Sequence, residues 1–366
     1  MSSRTPTAPT RRLRGRLLAA AALVAVPALV VATPGPADAA TTHDRVDAAA
    51  GWLGRQLDPS HVMTASFGGQ TFTDYGLTAD TVLALDAAQV GRGSARAATK
   101  ALAGQVLAYT GGGSATEFYA GSFAKLLVVA AAQGKDPHAF GTSPRRDLVA
   151  ELTALECTRA STGCSAADRG RFHDVSQYGD NSNTIGQSLA LIGLQRTTQR
   201  GPSPASVAFL VGQQCANGGF PENFDQSTCT TSVDSTGFAV QALTAVGTPA
   251  AKAAAATAGR WLRSVQHADG SFTGNGTRNA NSTALAAQGL VATGHAKAAA
   301  KARAFLRGLQ VRCGGPAALR GEIRYAHHAK GDAVRATTQA VPALARVSLG
   351  DVTVTGSHRG LPRLAC

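Results

Sequence analysis

Between residues 45 and 350 the chain repeats one hydrophobic and polar pattern six times. Each unit opens with an Ala-rich stretch whose charges keep to one side. A Gln or Trp, a Gly-rich turn often ending in Phe, and a polar segment follow. The unit closes with an Ala/Leu stretch that starts after Asp, Asn, Ser or Thr and stops at Gly. The copies span 45–91, 95–134, 146–194, 203–247, 253–294 and 301–350. The polar starts suit helix N-caps, and Gly91, Gly134, Gly193, Gly247 and Gly294 suit helix ends, so each unit predicts a helical hairpin. The second helices ("TVLALDAA", "SLALIGL", "FAVQALTAV", "TALAAQGLVA") are apolar on nearly every face and belong inside an assembly. The first helices carry Arg and Lys and form an outer layer. The end copies look like the middle ones, without the polar caps of an open solenoid. The pattern therefore predicts an all-α (α/α)6 toroid: six helical hairpins in two concentric layers over residues 40–350. A short tail, 351–366, follows; its "VTVTG" forms an edge strand or wraps the last repeat.

Composition refines this. Hydrophobic residues make up 44% of the chain but aromatics only 5%, so the core is Ala-rich and its helices pack closely. Residues 1–39 read as a signal peptide: Arg4, Arg11, Arg12, Arg14 and Arg16, then the apolar 17–32, then "ADA" at 37–39. Cleavage after Ala39 leaves 327 residues and lowers the formal net charge from +13 to +9. No later segment suits a membrane span, so the protein is expected to be secreted and extracellular. The remaining Lys and Arg are scattered in sequence, without aromatic interleaving, which argues against nucleic acid.

Six cysteines follow the leader: Cys157, Cys164, Cys215, Cys229, Cys313 and Cys366. An even count in an exported chain favours disulfides over a metal site, since there is no CxxC. Fifteen pairings are open; neighbour pairing (157–164, 215–229, 313–366) is the simplest.

"QHADGSF" (266–272) and "QQCANGGF" (213–220), with "GWLGRQL" (51–57) as a partial copy, resemble the Q-x-x-x-G-x-aromatic motif of squalene cyclases. Over roughly 45–350 the chain resembles the terpenoid-cyclase and protein-prenyltransferase α/α-toroid superfamily. "SVDSTG" (232–237) is similar to the cyclase acid motif D-x-D-D-T-A, with Asp234 at the proton donor's position and serine at both outer acids. An acid that protonates an alkene needs strong preparation, and cyclases cage cations with many aromatic faces; this chain has two Trp and five Tyr. The zinc set of protein prenyltransferases finds no match. Acids for a polysaccharide-cleaving toroid are present, but no pair stands out. "SVDSTGFAVQALTAV" (232–246) and "HDVSQYGDNSNTIGQSLALIGLQ" (173–195) look like segments of secreted cobalamin carriers. That resemblance implies ligand contacts at Asp234, Tyr178 and Gln187 and a cobalt-ligating loop histidine at His173, although no lid domain follows residue 350.

In a closed ring the six inner-helix starts converge on one mouth, lined by Asp74, Tyr75, Asp80, Tyr178, Asp180, Asn181, Asp234, Ser235, Asn279 and Asn281. Read singly, these are caps and solvated loop residues. Read together, they predict a secreted, non-catalytic protein that captures a small or lipidic ligand, with cobalamin the candidate and no certain cofactor. A second secreted or membrane transport protein would supply the lid. The alternative is a terpenoid-cyclase or prenyltransferase-like enzyme with a degenerate acid motif at 232–237.

Overall fold

The computed structural model describes residues 41–160, 163–224, 226–328 and 331–366. The signal peptide predicted over 1–39 lies outside them. In chain order the elements are β1 (Thr41–Thr42), α1 (Arg45–Gly54), the hairpin β2 (Met63–Phe67) and β3 (Gln70–Asp74), and α2 (Tyr75–Ala87). Next come α3 (Arg92–Gly104), α4 (Val106–Gly111), α5 (Ala120–Ala132), α6 (Leu148–Ala154), α7 (Thr184–Thr197) and α8 (Pro204–Gly212). Then follow β4 (Phe220–Pro221), β5 (Thr231–Ser232), α9 (Val233–Val246), α10 (Pro249–Val265), β6 (Phe272–Gly274) and β7 (Thr277–Asn279). The last are α11 (Ala280–Ala292), α12 (Ala296–Leu309), α13 (Ala333–Ala345) and β8 (Arg363–Leu364).

Helices α2, α5, α7, α9, α11 and α13 touch in turn, and α13 returns to α2. This closed inner ring is buried on nearly every face, as in α11, where Thr283–Leu290 is buried without a break. The outer helices bury one stripe: Ala251, Ala254, Ala255, Ala258 and Leu262 in α10 recur at helical spacing. The two-layer α/α toroid expected from the repeats is the observed fold. One outer member departs from it, breaking at Gln105 into α3 and α4. Gly193 is also not a helix stop. It lies inside α7, where a Cβ would stand 2.8 Å from Leu127, so its absence lets α5 pack close.

Glutamine staples bind one hairpin to the next. Gln214 donates to Gly218 O and Ala254 O, and Gln266 to Gly270 O (3.0 Å) and Ala298 O (2.9 Å). Gln310 donates to Gly321 O and Arg45 O, so the last turn clamps the first outer helix and closes the ring. At Gly270 φ is +90°, and a Cβ there would fall 2.4 Å from the Lys301 carbonyl oxygen. The turn and the next outer helix touch backbone to backbone, which only glycine permits.

The tail does not form an edge strand at "VTVTG". Val354 N donates to Ala132 O, and His358 N to Gln89 O. Arg363–Leu364 instead pairs in parallel with Thr41–Thr42. The tail thus runs from the last hairpin to the first. Disulfides join Cys157 to Cys164, Cys215 to Cys229 and Cys313 to Cys366, the neighbour pairing. No helix among the described residues is long and apolar enough to cross a membrane.

Candidate functional site

Within "SVDSTG" nearly every residue has a structural task. Ser232 is the N-cap of α9 and accepts from Ser235 N at 3.2 Å. Thr236 donates to Ser232 O and accepts from Phe220 N at 2.9 Å, tying the strand to the helix. Gly237 gives α11 room at the Leu285 backbone. Asp234 is therefore not the helix cap. Its Oδ1 is buried and has no hydrogen-bond partner. Burial pushes its carboxyl above the ordinary value. The nearby Ser282 hydroxyl, outside hydrogen-bond geometry, offsets part of this, and the charge of Glu222 adds to it.

Asp234 lines a cavity of about 600 Å³ with Glu222, Asn223, Gln226, Ser232, Trp261, His267 and Asn275. This is a usual size for a small-molecule site. Glu222, which the sequence reading did not single out, shares this cavity with Asp234. The cavity shares Ile185 with a narrower well of about 180 Å³ inside the ring, lined by Leu83, Leu189, Phe238, Leu285, Pro342 and Leu349. Asp234, Phe238, Gln241 and Ala245 recur at i, i+4, i+7 and i+11 of α9, so one stripe faces the axis from mouth to base. A second mouth cavity, about 420 Å³, also reaches Ile185 and holds Tyr109, Tyr119, Lys125, Asn181 and Asn183.

Two cations stand in the well, and sequence reasoning missed both. Lys125 Nζ is 2.9 Å from Asp80. Burial pulls this ammonium down, but Asp80 and Tyr109 outweigh it and the net shift is upward. Arg335 is 3.2 Å from Asp74, which also caps α2 by accepting from Leu77 N. Their only sequence signal is a lone basic residue inside an apolar inner helix.

The other expected site residues divide clearly. Tyr75 packs against Tyr109, ring centroids 6.2 Å apart. Tyr178 projects outward, 77% exposed. Asp180 is held by Arg171 at 2.6 Å; burial raises its carboxyl, but the Asp174 and Ser182 amides and Arg171 bring it below the ordinary value. Asn281 Oδ1 and Ser235 Oγ are buried and unpartnered. Two residues are corrected. Gln187 accepts from Phe172 N and donates to Gly170 O and Ser206 O, which makes it a staple with no atom left for a ligand. Asn279 caps α11 through Ser282 N and donates to Gly274 O and Thr277 O. His173 turns its Nδ1 to Leu155 O at 2.7 Å, beside the 157–164 disulfide.

No protein-family model matches the chain, and no curated protein matches it. Solved structures do. A type II terpene cyclase from Scytonema, MstE, is 15% identical with a TM-score of 0.57, covering 82% of this chain and 96% of that one. A variant of the same enzyme in complex with its substrate, geranylgeranyl dihydroxybenzoate, gives 14%, 0.58, 82% and 95%. An unsaturated glucuronyl hydrolase from Bacillus sp. GL1, responsible for the degradation of glycosaminoglycan, gives 13%, 0.55, 82% and 95%. At these identities the likeness is one of fold, an α/α toroid of the terpenoid-cyclase kind. The expectation of a non-catalytic binding protein is corrected on this finding. The toroids described above are enzymes, one of them holding its substrate, and the buried, unpartnered Asp234 is no mere cap.

Proposed function

We propose that the chain is an exported enzyme of terpenoid-cyclase type, which uses Asp234 as a general acid on an alkene of a lipidic, prenyl-bearing substrate. The carrying observation is the unpartnered, buried Asp234 oxygen on a 600 Å³ cavity that shares Ile185 with the well inside the ring. Burial and Glu222 keep the carboxyl protonated to higher pH than an ordinary one, so it has a proton to give. In the proposed step the Asp234 O–H bond breaks and its proton forms a C–H bond with the alkene. The cation left on the neighbouring carbon is taken by the next double bond, closing a ring. A final proton leaves to the Glu222 carboxylate or to water, and solvent reprotonates Asp234. Export is supported by the basic and apolar leader at 1–39 and by the three disulfides.

The test is turnover. The mature chain is incubated with geranylgeranyl alcohols, diphosphates and prenylated phenols, and products are read by mass spectrometry. Asp234→Asn is expected to lower turnover by about 10²–10⁴-fold while its melting temperature holds. Absence of a cyclised product from every substrate, or full turnover in the variant, would sink the reading.

A further inference from the structure

Lys and Arg that are scattered in sequence gather in space on one outer wall. Helix α10 carries Lys252, Arg260 and Arg263, and α12 carries Lys297, Lys301, Arg303 and Arg307; neither helix has an acid. Lys252, Arg260, Arg263, Lys297 and Lys301 are exposed, and among the described residues none of the seven forms an ion pair. The two helices are tied where the charges stand. Gln266, just past α10, donates to Ala298 O of α12, and Gly270 packs on the Lys301 backbone. His295, ahead of α12, is held below its ordinary value by burial and then by Arg263 and Arg260, which places those arginines beside it. Arg303 of α12 is only 6% exposed, its buried Nη1 has no partner, and Arg346 and Arg307 are the charges beside it. The nearest acid in the intervening turn, Asp269, is engaged by Arg278 at 3.5 Å and by Ser271. Like charges gathered without counter-ions raise the folded state's energy, and an external anion relieves it.

We infer that the α10–α12 wall docks the protein on an anionic lipid bilayer. Around the cations the exposed positions include Ala253, Ala256, Ser264, Ala296, Ala300, Ala304 and Gly308, with Trp261 half-buried. Long, flexible charges on a low alanine ground can follow mobile headgroups. The exposed positions offer no amide with which to read a nucleic-acid base, and Trp261 is half-buried against the cavity of the mouth. The inference stands apart from the chemistry of the mouth.

Co-sedimentation of the mature chain with vesicles tests it. Binding is expected to phosphatidylglycerol-containing vesicles, not to pure phosphatidylcholine, and to be lost at high salt. Joint Arg260→Glu, Arg263→Glu, Lys297→Glu and Lys301→Glu should lower partitioning by more than about a hundredfold; the matching Gln set guards against misfolding and should lose most of it. Joint Arg96→Glu and Lys100→Glu on α3, where Lys135 and Asp136 stand nearby, should leave binding in place. Three outcomes would overturn the inference: no binding to anionic vesicles, an equal loss from the α3 pair, or retention on heparin without vesicle binding.

Discussion

Asp86 is a fully buried carboxyl in the last turn of α2, at the opposite end of the helix from the mouth. Its Oδ2 accepts from Gln133 at 2.6 Å, while Oδ1 has no partner. Burial pushes it from 3.8 up to about 7, against the pull of Gln133 and Arg196. An acid raised in the folded state costs nothing at low pH, where folded and unfolded chains are both protonated. Stability falls as pH climbs from about 4 to about 7, and the deficit, about 4 kcal/mol, persists above. Asp86→Asn keeps an acceptor for Gln133 and removes the charge. Thermal melts should show the variant equal to the native chain near pH 4 and more stable at pH 8. A variant weaker at every pH would mean that Arg196 holds an ionised Asp86.

At the scale of elements, the staple turns decide how hairpins stack. Gly270→Ala forces a side chain into the Lys301 carbonyl at a φ that disfavours it and should cost about 3 kcal/mol or more. Gly276→Ala, also at positive φ but with open space around it, should cost only about 1 kcal/mol. Urea unfolding separates the two; equal losses would mean that backbone strain, not the close approach, sets the price. The staples at Gln214 and Gln266 were legible because glutamine, glycine and aromatic stand within eight residues. Gln187 was misread as a ligand contact because its partners Gly170 and Ser206 lie 17 and 19 residues away. The mouth was legible only in part for the same reason. Asp234 sits in a recognisable motif, whereas Lys125 and Arg335 come from separate hairpins and meet only when the ring closes.

For the whole molecule, closure was readable from six like units, and the path of the tail was not. An alternating "VTVTG" suggests a strand, but its backbone finds Ala132 instead of a partner strand. The Cys313–Cys366 bridge spans 53 residues and ties that tail to the last hairpin; Cys157–Cys164 spans 7. Chain entropy makes the long bridge worth about 4 kcal/mol and the short one about 2.5 kcal/mol. Replacing each pair by serine and comparing melting temperatures should show the larger drop for 313/366. The reverse order would show that the tail's other contacts already hold it.

Those contacts join distant parts of the chain: Gln310 to Arg45 over 265 residues, and Arg55 to Leu361 over 306. No such seam can form until the intervening hairpins exist, so ring closure comes late and folding is slow. Once shut, the circle has no terminal repeat from which to fray. Its lifetime then depends on the rate at which the seam opens, and a protease meets a molecule whose endurance is kinetic.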